Sequence, residues 1–216
     1  MAHFICENIK QLKQEIGNTQ LVAVSKYRNI AELEEVYACG HRDLGENRVQ
    51  EMVDKYHTLP KDIRWHLIGH LQTNKVKYIA PFVHMIHAVD SLKLLRTINK
   101  EAKKADRIIP FLFQIHIAEE DSKYGINPLE FQEIFEGYKS ENLINVKCVG
   151  LMGMATNTPN SNQVKQEFGQ LKALYEKYKQ VNNWHTLSMG MSGDYAIAID
   201  SGSTTIRVGS KLFEDS

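Results

Sequence analysis

Lys26 has the clearest chemical potential in this sequence, because of the run that precedes it. Residues Leu21–Ser25 are almost wholly apolar and partly β-branched, which is typical of a buried strand, and the lysine follows directly. A lysine in that place either opens a solvated loop or presents a partly desolvated amine. Since such an amine can form an imine with a carbonyl compound, Lys26 is a candidate for covalent binding of an aldehyde or ketone.

Two segments near the C-terminus combine glycines with serines. Residues 188–195, SMGMSGDY, contain Ser188 and Ser192 and lead into an apolar helical stretch, and Gly209 and Ser210 follow a short β-branched run. Small residues before a helix let main-chain N–H groups surround an anion, and serine hydroxyls add further donors. Glycine–serine turns are common, so each segment alone is weak evidence, but together they predict a phosphate site.

Arg207 lies in the last β-branched run, between two apolar neighbours. Alternation along a strand places Ile206 and Val208 on one face and Arg207 on the other. Because a buried charge is costly without a partner, Arg207 forms either a structural ion pair or a contact with a ligand ring nitrogen. Arginine does not give up its proton, so that nitrogen would stay unprotonated and the ring would be a poor electron sink.

Two further polar residues follow or interrupt apolar runs. Asn47 comes after the run Arg42–Gly45 and is either an amide directed at a ligand or a helix N-cap. His66 lies in Trp65–Ile68 and either faces a bound ring or is a structural histidine. His66 and His70 are four residues apart, but on a strand and turn without the glutamate of an HExxH motif, so we predict no metal site.

The elements that must position these residues alternate along the chain. Eight short runs read as strands: Leu21–Ser25, Arg42–Gly45, Trp65–Ile68, Val83–Val89, Ile109–Ile117, Val146–Leu151, His185–Ser188 and Thr204–Val208. Segments with helical spacing are Asn29–Cys39, Glu46–Tyr56, Leu92–Ala105, Pro128–Tyr138, Val164–Val181 and Tyr195–Ile199.

This alternation leaves a closed barrel or a doubly wound open sheet, and the count of eight favours a single (β/α)₈ barrel over residues 1–216. Residues Gly209–Ser216 are too few for a full last helix, and the amphipathic segment Phe4–Ile16 could cover that gap. In such barrels the chemistry lies at the carboxyl ends of the strands, and phosphate sites often form after strands seven and eight. Lys26 and the two glycine–serine segments are therefore expected at one mouth.

Composition excludes several classes of function. Lys plus Arg total 26 and Asp plus Glu total 26, so no net charge favours nucleic acid or anionic membranes. Neither a signal peptide nor an apolar run long enough for a membrane span is evident. Three cysteines without a CxxC motif fit a reducing compartment and argue against a disulfide scaffold or zinc knuckle. We expect a soluble cytoplasmic protein.

Several stretches, in this order, resemble the pyridoxal phosphate homeostasis proteins, which are single-domain relatives of the alanine racemase barrel. The similar stretches are residues 21–26 (LVAVSK), 45–47 (GEN), 49–51 (VQE), 66–75 (HLIGHLQTNK), 123–125 (KYG), 150–155 (GLMGMA), 188–194 (SMGMSGD) and 206–209 (IRVG). They extend over nearly the whole chain, and residues 66–75 and 188–194 are the most specific. The chain departs from the family pattern at Arg48, where an aromatic residue is common, and in its tail.

The resemblance implies a cofactor, pyridoxal 5′-phosphate, held by Lys26 as an internal aldimine. It further implies that Arg207 is the partner of the pyridine nitrogen, that Asn47 and His66 neighbour the ring, and that Met152 lines the pocket. The phosphate ligands implied by the resemblance are Ser188, Ser192, Gly209 and Ser210. The family is thought to buffer and deliver the cofactor without established turnover, so apo-enzymes are expected partners and a monomer is expected.

Two enzymatic alternatives use the same residues. A small amino-acid racemase would share the cofactor, but alanine racemases take a second base from a β-rich domain for which no residues remain after the eighth strand. A sugar-phosphate aldolase or isomerase would use Lys26 directly as a nucleophile, but no strand end supplies an obvious acid–base partner. We therefore expect a cofactor-binding protein without catalysis.

Overall fold

A computed structural model describes residues 4–120 and 124–214 of the chain. Within these residues, eight strands are present where the sequence predicts them, with ends displaced by at most three residues. The strands are β1 (Gln20–Val24), β2 (Asp43–Glu46), β3 (Arg64–Leu67), β4 (Met85–Val89), β5 (Ile109–His116), β6 (Val146–Met154), β7 (Thr186–Ser188) and β8 (Thr205–Val208).

Helices follow the strands. They are α1 (Phe4–Ile16), α2 (Ile30–Ala38), α3 (Val49–Thr58), α4 (Val76–Ile79), α5 (Leu92–Lys104), α6 (Phe131–Ser140), α7 (Ser161–Asn182), α8 (Tyr195–Asp200) and α9 (Ser210–Phe213). The short helix α4, preceded by a 3₁₀ turn at Thr73–Lys75, was not predicted from the sequence. After β8 there is a single turn, α9, where the sequence predicted no full helix.

The predicted closed barrel is confirmed, because every strand pairs in parallel with its neighbour and β8 pairs with β1. The register places Val22 of β1 beside Arg207 of β8, and Val24 beside Gly45 of β2. The side chain of Asn8 in α1 donates hydrogen bonds to the carbonyls of Leu212 and Glu214, both at 3.3 Å. Helix α1 therefore packs on α9 and covers the last part of the barrel, as its amphipathic pattern predicted.

Strand residues alternate between the helical shell and the barrel axis. On β5, Phe111, Phe113 and Ile115 belong to the large apolar cluster between strands and helices. Leu112, on the opposite face, belongs to a separate small cluster inside the barrel. This arrangement buries β5 on both faces and explains why its sequence is apolar almost throughout.

One sequence expectation about cysteine needs correction. The structure joins Cys6 of α1 to Cys39, which caps the C-terminus of α2, in a disulfide with a Cα–Cα distance of 5.4 Å. The two residues are 33 positions apart, and only the packing of α1 against α2 brings them together, so their spacing carried no signal. Cys148 is free and buried, and burial raises the pKa of its thiol to about 12.

Among the helices of the described residues, none combines the length and the apolar character that crossing a lipid bilayer requires.

Candidate ligand site at the carboxyl ends of the strands

Lys26 follows β1 at the rim of the barrel and is exposed to solvent. Alternation places it on the face of β1 that carries Val22 and Val24. Tyr27 then has φ of +63°, the left-handed conformation that is costly for a residue with a side chain. The chain therefore turns sharply just after the lysine, with the Tyr27 N–H directed to Glu51 Oε2 at 3.3 Å.

A buried polar cluster behind β1 fixes the peptide that carries Lys26. Lys55 Nζ donates to the carbonyl oxygen of Ser25 at 2.7 Å and to Glu46 Oε1 at 2.6 Å. The Ser25 hydroxyl donates to the same Glu46 oxygen at 2.7 Å. Burial raises the pKa of Glu46, although Lys55 and Ser25 oppose the shift by stabilising its carboxylate. Three polar groups thus hold the strand end from the helix side.

The loops after β7 and β8 are joined by a hydrogen bond, from the N–H of Gly209 to the hydroxyl oxygen of Ser192 at 3.2 Å. A Cβ built on Gly209 would lie 3.3 Å from Cβ of Val24, so the end of β8 packs tightly against β1 two residues before Lys26. Ser210 follows at the exposed start of α9. The structure thus brings the lysine and both predicted phosphate segments to one part of the rim.

The loop after β7 has its own internal supports. Gly190 has φ of +99°, and a Cβ there would lie 2.6 Å from Cβ of Ala198, so a side chain would not fit. The Asp194 carboxylate accepts from the N–H of Met191 at 2.5 Å and holds the turn before α8. These contacts fix the loop and place Ser192, which is half-buried, next to Gly209.

Arg207 is buried inside the barrel, below Lys26. One terminal nitrogen donates to Ser188 Oγ at 2.6 Å and the other to the Gly153 carbonyl at 3.1 Å. Burial lowers the pKa of Arg207 to about 10, so the guanidinium stays charged at neutral pH. These bonds use two of the five N–H groups of an arginine, and the described residues show no partner for the others. The described residues show no salt bridge to Arg207, but the Asp194 carboxylate acts on it electrostatically and raises its pKa against the effect of burial.

Ser188 is buried inside the barrel, whereas the resemblance implies a phosphate ligand at the rim. Its hydroxyl is fully buried and bonds to Arg207 and, at 3.1 Å, to Nδ1 of His87. In this arrangement the hydroxyl is a neighbour of Arg207 and bonds to two interior groups. A contact of Ser188 with phosphate stays a prediction.

His66 also lies deeper than expected. It is fully buried, with Nδ1 3.0 Å from Nε2 of His87 and Nε2 3.0 Å from Oδ1 of Asp43. Asp43 in turn binds the guanidinium of Arg64 at 2.6 and 2.8 Å. Both nitrogens of His66 are thus occupied within the barrel. Its place beside a ligand ring stays a prediction.

Asp43, His66 and His84 place donor atoms within 4.8 Å of one another, a spacing that could hold a metal ion. Burial alone would raise the pKa of Asp43, but hydrogen bonds from Arg64 and His66 hold it well below its usual range. Since a cationic guanidinium already covers both carboxylate oxygens, the arrangement suits a hydrogen-bonded network better than a cation.

Asn47 and Met152 occupy different levels of the barrel. Asn47 is exposed at the rim, and it is not the N-cap of α3, because Arg48 holds that position without a side-chain bond. Met152 is fully buried in the small interior cluster, whereas Met154, two residues further along β6, packs on that cluster and is half-buried near the rim. Met154 is the better placed of the two methionines for contact with a ligand.

Sequence reasoning missed His87, Glu46 and Lys55. His87 lies within the apolar run of β4, and a polar residue inside an otherwise buried strand was the signal that could have indicated it. Glu46 and Lys55 are nine residues apart in different elements, and nothing in their spacing indicates contact.

Comparison with known proteins gives a consistent family. The model of the alanine racemase N-terminal domain family matches residues 3–216. The chain is similar to the pyridoxal phosphate homeostasis protein of Aquifex aeolicus (strain VF5), with 37% identity over 97% of this chain and 94% of that protein.

Solved structures agree in fold. PipY of Synechococcus elongatus PCC7942, solved with pyridoxal phosphate bound, is 32% identical with a TM-score of 0.88, over 97% of this chain and all of that one. Alanine racemase of Bartonella henselae has a TM-score of 0.75 at 16% identity, over 97% of this chain and 58% of that enzyme. The latter identity is low, so that likeness shows the fold alone.

Proposed function

Since the chain belongs to the alanine racemase N-terminal domain family and, within it, to the pyridoxal phosphate homeostasis proteins, we propose that it binds pyridoxal 5′-phosphate on Lys26 and takes part in homeostasis of that cofactor. The observation that carries the proposal is the junction at the rim. There Gly209 binds Ser192 and packs against Val24, so that lysine and phosphate donors share one site.

The donors of the site fit this cofactor. When bound, the cofactor supplies an aldehyde that reacts with a lysine amine, forming a C=N bond with loss of water. Lys26 offers that amine from the rim, and the described residues show no hydrogen bond or ion pair that would occupy it. The Ser192 hydroxyl and the N–H of Ser210 offer donors for a phosphate, and the N–H of Gly209 donates to Ser192 Oγ and holds that hydroxyl in place.

Arg207 completes the site from below. Its register partner on β1 is Val22, four residues before Lys26, so the guanidinium lies deeper in the barrel than the amine. A flat ring held between them would meet the amine at one end and the remaining N–H groups of Arg207 at the other. A permanent cation there keeps a ring nitrogen unprotonated, which suits storage of the cofactor better than carbanion chemistry. Met154 and Asn47 would flank the ring.

The covalent assignment is tested by absorbance before and after borohydride reduction, followed by mass analysis of peptides. We expect a visible absorbance band that reduction removes, and a mass increase on the peptide that contains Lys26. The variant Lys26→Ala should lose both. Lys75→Ala is the matched control, because Lys75 lies on the same rim beside Asn47. A band that persists in Lys26→Ala and is absent from Lys75→Ala would reject the assignment.

The proposal extends to location and partners. We propose a cytoplasmic monomer that releases the cofactor to apo-enzymes, and the homeostasis of pyridoxal phosphate in the name of its relatives supports the cofactor part of this proposal. Light scattering measures the oligomeric state. Transfer is measured by adding holoprotein that has not been treated with borohydride to an apo-enzyme that requires the cofactor, with Lys26→Ala as the control. Recovery of enzyme activity at the rate seen with free cofactor alone would count against delivery.

A further inference from the structure

A continuous line of buried side chains crosses the barrel from Arg207 to Asp43. It consists of Arg207, Ser188, His87, His66 and Asp43, contributed by β8, β7, β4, β3 and β2. Each is less than a tenth exposed. Interiors of such barrels are usually filled by branched apolar side chains, so five linked polar groups in one line require a reason.

Hydrogen-bonding rules fix the direction of the line at the end where Arg207 lies. Arg207 can only donate, so the oxygen of Ser188 accepts from it. Within the described residues the one other partner of that hydroxyl is Nδ1 of His87, so the Ser188 O–H donates there. His87 therefore accepts at Nδ1.

The same reasoning applies to the other end of the line, at Asp43. Burial lowers the pKa of His87 well below its usual value, so its ring is neutral and carries its proton on Nε2. That N–H donates to Nδ1 of His66, which leaves the proton of His66 on Nε2, directed to Asp43. Every donor in the line then points the same way, and the carboxylate of Asp43, anchored by Arg64, receives the last bond.

We propose that Ser188, His87, His66 and Asp43 form a positioning relay that orients Arg207 toward the ring nitrogen of the bound cofactor. The proposal rests on the proposed function, since it assigns residues to the same site. The relay holds one edge of the guanidinium down into the barrel. The N–H groups not used by Ser188 and Gly153 are then left for the ring nitrogen of the bound cofactor.

A purely structural role predicts something different. In that case the polar line would stabilise the barrel interior, and breaking it would affect every ligand of the site alike. A relay that acts through Arg207 affects only ligands that carry a ring nitrogen. The two roles are therefore separated by comparing pyridoxal 5′-phosphate with its carbocyclic analogue, in which a C–H group replaces the ring nitrogen.

The first experiment uses the wild-type protein without cofactor. Nitrogen-15 NMR of the imidazoles should show His66 and His87 both protonated on Nε2 and unprotonated on Nδ1, with slowly exchanging N–H protons. A proton on Nδ1 of His87 would reverse the direction of the line and overturn the proposal. This measurement needs no variant, so it holds even if a variant fails to fold.

The second experiment measures dissociation constants of the two ligands with two variants. Ser188→Ala should weaken binding of pyridoxal 5′-phosphate about tenfold, ~1.4 kcal/mol, and leave binding of the carbocyclic analogue within twofold. Asp43→Asn, which removes only the terminal charge, should show the same selectivity with a smaller loss. Ser203→Ala is the control, because Ser203 is a buried serine whose hydroxyl, within the described residues, bonds to the main-chain carbonyls of Leu187, Met189 and Thr205 and to no side chain.

The outcomes separate this inference from the proposed function. If wild type fails to bind pyridoxal 5′-phosphate on Lys26, the proposed function itself is wrong. If wild type binds it but Ser188→Ala weakens both ligands equally, or matches Ser203→Ala, the relay is structural and the inference is wrong.

Discussion

The inside of the barrel has two halves of opposite chemistry. The polar half contains Asp43, His66, His87, Ser188 and Arg207, and the apolar half contains Met85, Ala88, Leu112, Val149 and Met152. The side chains of both halves are buried, and both halves lie in the interior of the same barrel. Apolar packing needs only shape, whereas a buried guanidinium needs hydrogen-bond acceptors, which Ser188 and Gly153 supply to Arg207. The polar half therefore depends on specific contacts that the apolar half does not need.

If the halves have separate roles, truncation in the apolar half should reduce stability without changing the cofactor site. Leu112→Ala leaves a cavity among fully buried side chains and should lower the free energy of unfolding by about 2–5 kcal/mol. Urea denaturation measures the loss. Affinity for pyridoxal 5′-phosphate at neutral pH should stay within twofold, and a larger loss of affinity would show that the halves are coupled.

The disulfide lies outside both halves and provides a test of stability alone. Closing a loop between cysteines 33 residues apart should contribute about 4 kcal/mol by restricting the unfolded chain. The double variant Cys6→Ser and Cys39→Ser should therefore unfold at lower urea concentration, with unchanged cofactor absorbance. Thiol titration of the denatured protein checks that the bond is present. Three reactive thiols in protein that is denatured without a reductant would show that the bond is absent. The expectation from cysteine spacing, that the cysteines are reduced, would then hold.

The polar half should make the protein sensitive to acid. Burial lowers the pKa of His84, beside His66, to about 4, and burial also lowers the pKa of His87 well below its usual value, so the folded state keeps both neutral. Below about pH 6.5 the unfolded chain takes up these protons and the folded chain does not, so stability falls as pH decreases toward 4. We expect a loss on the order of 2 kcal/mol from His84, allowing for its partial exposure.

Urea denaturation at several pH values measures this dependence. His84→Gln should flatten it, whereas His57→Gln, at an exposed histidine of α3, should not. Asp43 acts in the same direction but at lower pH, because its lowered pKa adds stability above about pH 4 that is lost in stronger acid. If the free energy of unfolding depends on pH in the same way in His84→Gln and wild type, His84 is not a source of the acid sensitivity.

The smallest expected effect lies at the rim. Ser192→Ala removes the oxygen that accepts from Gly209 and a donor for phosphate. Since one hydrogen bond contributes about 1 kcal/mol, affinity for pyridoxal 5′-phosphate should fall about fivefold. Affinity for pyridoxal, which lacks the phosphate, should not change. Equal losses for both ligands would place Ser192 outside the phosphate site.

The sequence could predict the strands, the closed barrel and the position of Lys26, because these depend on local patterns. Runs of apolar residues report burial on both faces, and a lysine after such a run must emerge at a strand end. The glycine–serine segments were predicted for the same reason. The contacts of Ser188 could not be predicted, because it adjoins the loop in sequence, while in three dimensions it is the last residue of β7 and bonds to Arg207 and His87.

Sequence alone thus determined which segments form strands and which strand ends carry reactive groups, since alternation and turn composition act over a few residues. Only the tertiary structure decided which buried groups meet. The contact of His87 with Ser188 joins positions 101 residues apart, and Lys55 reaches the Ser25 carbonyl across 30 residues. Such contacts depend on barrel closure, which sets the level and direction of each side chain, and no local pattern records them.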